Sequence, residues 1–130
     1  MGIYKYKEKN EWRISYMINE KNIKNKIKKE LGKIVYNFSY KGTSYLIETI
    51  YILYKSFQKK ANDCNFEDEI YPIVAQKYNT SANNVKCNIR NATDKMFYDC
   101  DEKVLREYLR DYEFSKPGAK RIALKILERL

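Results

Sequence analysis

The chain has 130 residues, 44% of them hydrophobic, a formal net charge of +9, three cysteines and no histidine. That length suits one domain with a real core, and the lack of histidine excludes Ser-His-acid and Cys-His nucleophile systems and His-containing zinc sites. No 18-residue apolar run could span a membrane, and MGIYKYKEKNEW lacks the apolar stretch of a secretory signal, so a cytoplasmic protein is expected.

Cys64, Cys87 and Cys100 are odd in number and widely spaced. They predict unpaired thiols, partly in the core, rather than a disulfide framework or a metal site. The excess positive charge lies in residues 1–60, whereas residues 61–130 are balanced. Such a surface attracts polyanions, of which DNA and RNA are the commonest.

Taken in chain order, IYKYK and WRISYMI carry aromatic and β-branched residues in partial alternation, and EKNE between them predicts a short hairpin within residues 1–18. Asn19 is placed to cap a helix starting near Glu20. Ile23, Ile27, Leu31 and Ile34 or Val35 give that helix one apolar stripe, with Lys21, Lys24, Lys26, Lys28 and Lys29 on its wet side. Gly32 is placed to end or loosen it.

Lys41-Gly42-Thr43-Ser44 reads as a break followed by a cap. The most apolar segment follows, YLIETIYILYKSFQKK, with Leu46, Ile50, Leu53 and Phe57 on one face and Ile47 and Tyr54 beside it. This predicts the central helix. Asn62 to Asn65 make the next break. FEDEIYPIVAQKYN predicts a short helix over 66–79 with acids in its first turn, Pro72 limiting where it starts, and Ile70, Ile73, Val74 and Tyr78 as apolar contacts.

Thr80 or Ser81 caps the next helix, expected to run to about Tyr98. Cys100 and Asp101 break it. A helix over Glu102 to Tyr112 places Val104, Leu105, Tyr108 and Leu109 inward. Ser115-Lys116-Pro117 starts the last helix, whose buried side and flanks are Ile122, Leu124, Ile126, Leu127 and Leu130. The expected architecture is all-α, a six-helix domain over 19–130 with a short N-terminal β-element.

Within it, IVAQKYNTSANNVKCNI is organised as a helix-turn-helix. Ala75 is small where two helices approach, and Asn79-Thr80-Ser81 supplies turn and cap chemistry. Val85, Ile89, Ala92 and Met96 form the inward stripe of a recognition helix at about 81–98. Outward lie Asn83, Cys87, Arg90, Asn91 and Asp94, with Asn84 and Lys86 at the shoulders. Arginine can donate two hydrogen bonds to guanine, and asparagine can make the equivalent pair with adenine. Asn83, Asn84, Lys86, Cys87, Arg90 and Asn91 are therefore the candidate base contacts. Lys77, Thr80 and Ser81 are the candidate phosphate contacts, beside the open N–H groups of the helix start. Asp94 would mark the far edge of that footprint.

Tyr71 to Thr80 followed by Val85, Ile89-Arg90 and Ala92 resembles the C-terminal DNA-binding domain of the stage-zero sporulation response regulator. Lys41-Gly42 with Tyr45-Leu46 and Ile50 is similar to that family's second-helix entrance, and Lys116-Pro117 with its apolar helix to the closing one. The resemblance covers roughly residues 22 to 130. It implies an all-helical effector fold and binding of double-stranded DNA at short, often tandem boxes, which a dimer would occupy. It also implies action through RNA polymerase in the regulation of sporulation genes.

The sequence departs from the family at groove-facing positions. Where the family typically has arginine it has Asn84 and Cys87, where an acid Lys86, and where histidine Asn91, so the family's DNA box is not carried over. Residues 1 to 40 are too short for the family's phosphoacceptor receiver domain, so either an excised effector domain or, favoured by the initiating Met and the aromatic N-terminus, a free-standing member is expected. A second reading keeps the fold as a protein-interaction module for a related regulator or a polymerase subunit. The run Glu67-Asp68-Glu69 is read as favourable charge at a helix start, and no residues pair as nucleophile and base, so neither an enzyme nor a cofactor is expected.

Overall fold

The computed structural model describes residues 19–35, 38–56, 61–110 and 117–130, with the side chain of Asn62 left aside. The hairpin expected before residue 19, Phe57 and the end of the helix expected at Tyr112 lie outside the described residues. Within them the protein is all-α, with six α-helices: α1 (residues 19–31), α2 (Lys41–Ser56), α3 (Tyr71–Lys77), α4 (Ala82–Asp99), α5 (Glu102–Leu109) and α6 (Ala119–Glu128).

The core forms around α2. Leu46, Ile50 and Leu53 are fully buried, and Tyr45, Ile47, Tyr51 and Ile52 are nearly so, because helices cover this segment on several sides. Thr49, also buried, donates its hydroxyl to the Tyr45 carbonyl at 2.8 Å, so it leaves no unsatisfied group in the apolar surroundings. Ile27, Leu31 and Ile34 of α1 and its following turn, Val85 and Ile89 of α4, and Ile122 and Ile126 of α6 close around it. Asn19, expected as a cap, is itself helical.

The stretch Lys41-Gly42-Thr43-Ser44, expected as a break, is the first turn of α2. The glycine is required by packing. A Cβ at Gly42 would lie 1.9 Å from the Asn88 carbonyl oxygen and 2.9 Å from the Ala92 Cβ, so the start of α2 meets α4 backbone to backbone.

The helix expected over 66–79 is divided. Phe66–Ile70 forms one wide π-type turn, and α3 starts afresh at Tyr71 with Pro72 in its first turn. The new start resets the phase. Tyr71, Val74 and Ala75 point inward at i, i+3 and i+4, while Ile73, expected as an apolar contact, is 45% exposed; Tyr78 is partly exposed but packs its ring edge-on against buried Tyr45 at 5.0 Å. Val104 is likewise turned out, because Asp101 caps α5 and sets the phase that buries Leu105, Tyr108 and Leu109. Asp101 accepts from the N–H groups of Lys103 and Val104, so the residue expected to break one helix starts the next. The last helix begins after an uncapped Gly118, with Pro117 just outside it.

Candidate nucleic-acid interface

The connection between α3 and α4 is built by backbone hydrogen bonds. Thr80 N–H reaches the Ala75 carbonyl at 2.9 Å and Asn79 N–H the Gln76 carbonyl at 3.3 Å, the paired closure of a Schellman motif. That closure needs a left-handed residue, and Asn79 supplies it at φ 52°. Asparagine tolerates this conformation better than other side-chain-bearing residues. Ser81 then caps α4, its hydroxyl oxygen accepting from Asn84 N–H at 3.0 Å. Ala75 is buried where α3 meets α4.

Asn84 is engaged at both ends of its side chain. Its amide donates to the Thr80 hydroxyl oxygen at 2.8 Å, and its oxygen accepts from the Asn88 amide at 3.0 Å. Asn88 also donates to the Asn84 carbonyl at 2.8 Å. Thr80 and Ser81 use only acceptor capacity in these bonds, so each keeps a hydroxyl proton to donate.

On α4, Val85, Ile89, Ala92, Thr93 and Met96 are buried. Asn83, Cys87, Arg90 and Asn91 are exposed on the opposite side. The Arg90 guanidinium makes no hydrogen bond or ion pair among the described residues. It lines a cleft with Glu67, Tyr71 and Lys120, between α4 and the start of α6. Burial pushes the Tyr71 hydroxyl up to about 12, so it remains a neutral donor there. Lys86 pairs with Glu67 at 3.0 Å; both side chains are partly exposed, and such a pair is worth about 0–1 kcal/mol and exchanges readily for another anion.

Lys77 lies differently from its neighbours in the candidate set. Its ammonium is 2.9 Å from Glu48, a residue only 5% exposed in the middle of α2, and 3.9 Å from Glu20. Lys24 of α1 approaches the same Glu48 oxygen at 2.7 Å and pairs with Glu20 at 3.0 Å. Burial opposes the charge on Lys24, but its hydrogen bonds to Glu48 and Glu20 outweigh this and hold it above its ordinary value. Glu48 thus takes its partners from two other helices. Among the three thiols, Cys64 and Cys100 are buried and Cys87 is exposed.

The turn thus gathers Thr80, Ser81, Asn83 and Asn84 at one end of α4. Cys87, Arg90 and Asn91 follow along its open face, and Lys77 is tied inward. On the other shoulder of α4, Lys95 lies across a groove from Lys41, a pair the sequence reading did not select. Lys95 is one helical turn beyond Asn91, and that spacing was the available signal.

A short helix, a four-residue turn closed by a left-handed asparagine, and a long capped helix with a polar open face define a helix-turn-helix domain. The family described as Sporulation initiation factor Spo0A C terminal matches residues 25–129, and the chain belongs to it. It is accordingly a DNA-binding transcriptional regulator resembling that effector domain, and not an enzyme. No curated protein matches the chain. None of the described helices is long and apolar enough to cross a membrane.

Proposed function

We propose that α4 enters the major groove of double-stranded DNA and reads sequence there. The observation that carries this reading is the exposed, unengaged row Asn83, Cys87, Arg90 and Asn91 on a helix fixed by a Schellman turn and a serine cap. Arg90 and the asparagine amides supply paired hydrogen bonds to base edges, and Cys87 supplies a small apolar contact. Asn84 and Lys86 flank this row; Asn84 stiffens the helix start, and Lys86 exchanges Glu67 for a base or a phosphate. Thr80 and Ser81 donate hydroxyl protons to a phosphate, and Lys77 adds charge beside them from its partly exposed ammonium.

Residues 1–18 are proposed as an extension and 19–130 as the effector domain. The protein would act in the cytoplasm on chromosomal DNA, by occlusion or by recruiting RNA polymerase, with two copies on tandem sites. The test is a competition titration of folded variants against a selected duplex and a scrambled one at fixed salt. Arg90→Ala and Asn83→Ala should each weaken the selected duplex more than the scrambled one, by about 1–3 kcal/mol for a paired base contact. Equal losses on both duplexes would defeat base reading by these residues.

A further inference from the structure

The groove between the first turn of α2 and the C-terminal half of α4 is lined by Tyr40, Lys41, Asn91, Lys95 and Tyr98. Its floor is the close contact of Gly42 with Asn88 and Ala92. Lys41 and Lys95 are exposed, and neither ammonium has a hydrogen-bond or ion-pair partner among the described residues. That sets them apart from Lys24, Lys77 and Lys86, which are all held by carboxylates. Asp94, partly buried, lines both this groove and the Arg90 cleft, and Asp99 at the end of α4 lines the adjoining hollow beside Tyr40 and Lys95.

Length decides what such a groove meets. α4 has 18 residues and so extends about 27 Å, while the major groove is about 12 Å wide. A helix that reads bases with its N-terminal half must carry its C-terminal half out past a phosphate strand. Asn91 is on the reading face, and Lys95 lies one turn further along, toward Lys41.

We infer that this groove seats the sugar–phosphate backbone of one strand bordering the major groove, with Lys41 and Lys95 neutralising phosphates and the amide of Asn91 at the border between strand and bases. The inference rests on the proposed placement of α4. It adds to Lys77, named from sequence, a phosphate seat formed by two helices that are distant in sequence. Tyr40 and Tyr98 give the groove apolar walls that suit deoxyribose, and the Tyr40 hydroxyl can donate to phosphate.

The test measures affinity for the selected and scrambled duplexes across a salt series, using the full chain with Lys41→Ala, Lys95→Ala, the double variant and Lys125→Ala. Lys125 is on α6 and pairs with Glu128, so it controls for the loss of one positive charge. Each single substitution in the groove should weaken both duplexes severalfold and alike, and lower the slope of log K against log salt by about one unit; the double variant should lower it by about two. Lys125→Ala should leave the slope in place. Thermal melting identifies any variant that fails to fold, and Lys41→Gln and Lys95→Gln then take its place. Unchanged slopes in the groove variants, while Arg90→Ala still alters the ratio of affinities, would overturn the groove and leave base reading standing. Such a result would point to an acidic protein partner there. Unaltered ratios in Arg90→Ala and Asn83→Ala with lowered slopes would retain the groove as a non-specific DNA seat and remove the base reading. A wild type that binds neither duplex would overturn both.

Discussion

Gly42 lies against the carbonyl of Asn88 so closely that a methyl group at residue 42 would overlap it, at 1.9 Å. The contact sets the distance between the central helix and the proposed reading helix. Gly42→Ala must therefore push α4 away or unwind the start of α2. Overpacking of this kind typically costs about 1–3 kcal/mol, and the upper end is expected because the obstacle is backbone rather than a flexible side chain. Chemical denaturation should show the lowered midpoint. DNA affinity measured well below the melting temperature should fall as well, since the displaced helix is the one proposed to read.

Asn79 should respond to substitution according to backbone geometry alone. Its φ of 52° is left-handed, where a Cβ is unfavourable by roughly 1–2 kcal/mol. Asn79→Ala should destabilise by about 1 kcal/mol, and Asn79→Gly should be neutral or slightly stabilising. Ser81→Ala should cost about 1 kcal/mol through loss of the bond to Asn84 N–H. A melting series over these variants checks the order.

Glu48 joins three helices, receiving Lys24 from α1 and Lys77 from α3 while sitting in α2. Glu48→Gln should destabilise by about 2 kcal/mol, since hydrogen bonds to charged groups contribute about 1.5–3 kcal/mol and the neutral amide leaves two ammonium groups without their shared anion. Denaturant titration of the variant gives the value.

The same cluster fixes a pH window. The hydrogen bond from Lys24 holds the Glu20 carboxyl below its ordinary 4.5. Burial disfavours charge on Glu30, but hydrogen bonds from Lys33 and Tyr108 outweigh it and also lower its value. A depressed carboxylate contributes stability above its unfolded value and loses it as pH falls through the folded one. Lys24, held above its ordinary 10.5, contributes below that value and loses its contribution as pH rises further. Stability should therefore be level between about pH 5 and pH 8 and fall on either side, the alkaline fall beginning with Cys64 and Cys100, whose raised thiols ionise first in the unfolded chain. Glu20→Gln should flatten part of the acid limb.

The thiols should separate by burial. Burial is the main reason Cys64 is pushed up to about 11, and it raises Cys100 as well. At neutral pH a maleimide should label native protein once, at Cys87, and reach the other two only after unfolding. Reductant and chelator should leave the melting curve unchanged.

How much of this was legible depended on sequence distance. The turn Asn79-Thr80-Ser81 and the open face of α4 were readable because local chemistry and helical period determine them. The Thr80–Asn84–Asn88 connection follows the same four-residue spacing and was visible in principle. The tie of Lys77 to Glu48 was not legible, because the two are 29 positions apart in sequence. The outward turn of Ile73 required knowing that a wide turn ends at Ile70 and that α3 starts over. Gly42 read as a helix break because glycine's usual meaning is conformational, whereas here it serves a contact with a helix about 46 residues further along.

The side-chain connection from Thr80 through Asn84 to Asn88, ending where Asn88 meets Gly42, has a calorimetric consequence. The turn, the first two turns of α4 and the start of α2 are joined before DNA arrives, so association is the docking of a rigid body. Its heat-capacity change should scale with the surface covered between protein and duplex, without the further large negative contribution of a segment that folds as it binds. Titrations at several temperatures would then give a shallow, linear dependence of enthalpy on temperature. In Asn84→Ala, where the connection is cut, that dependence should steepen as the helix start orders on the DNA.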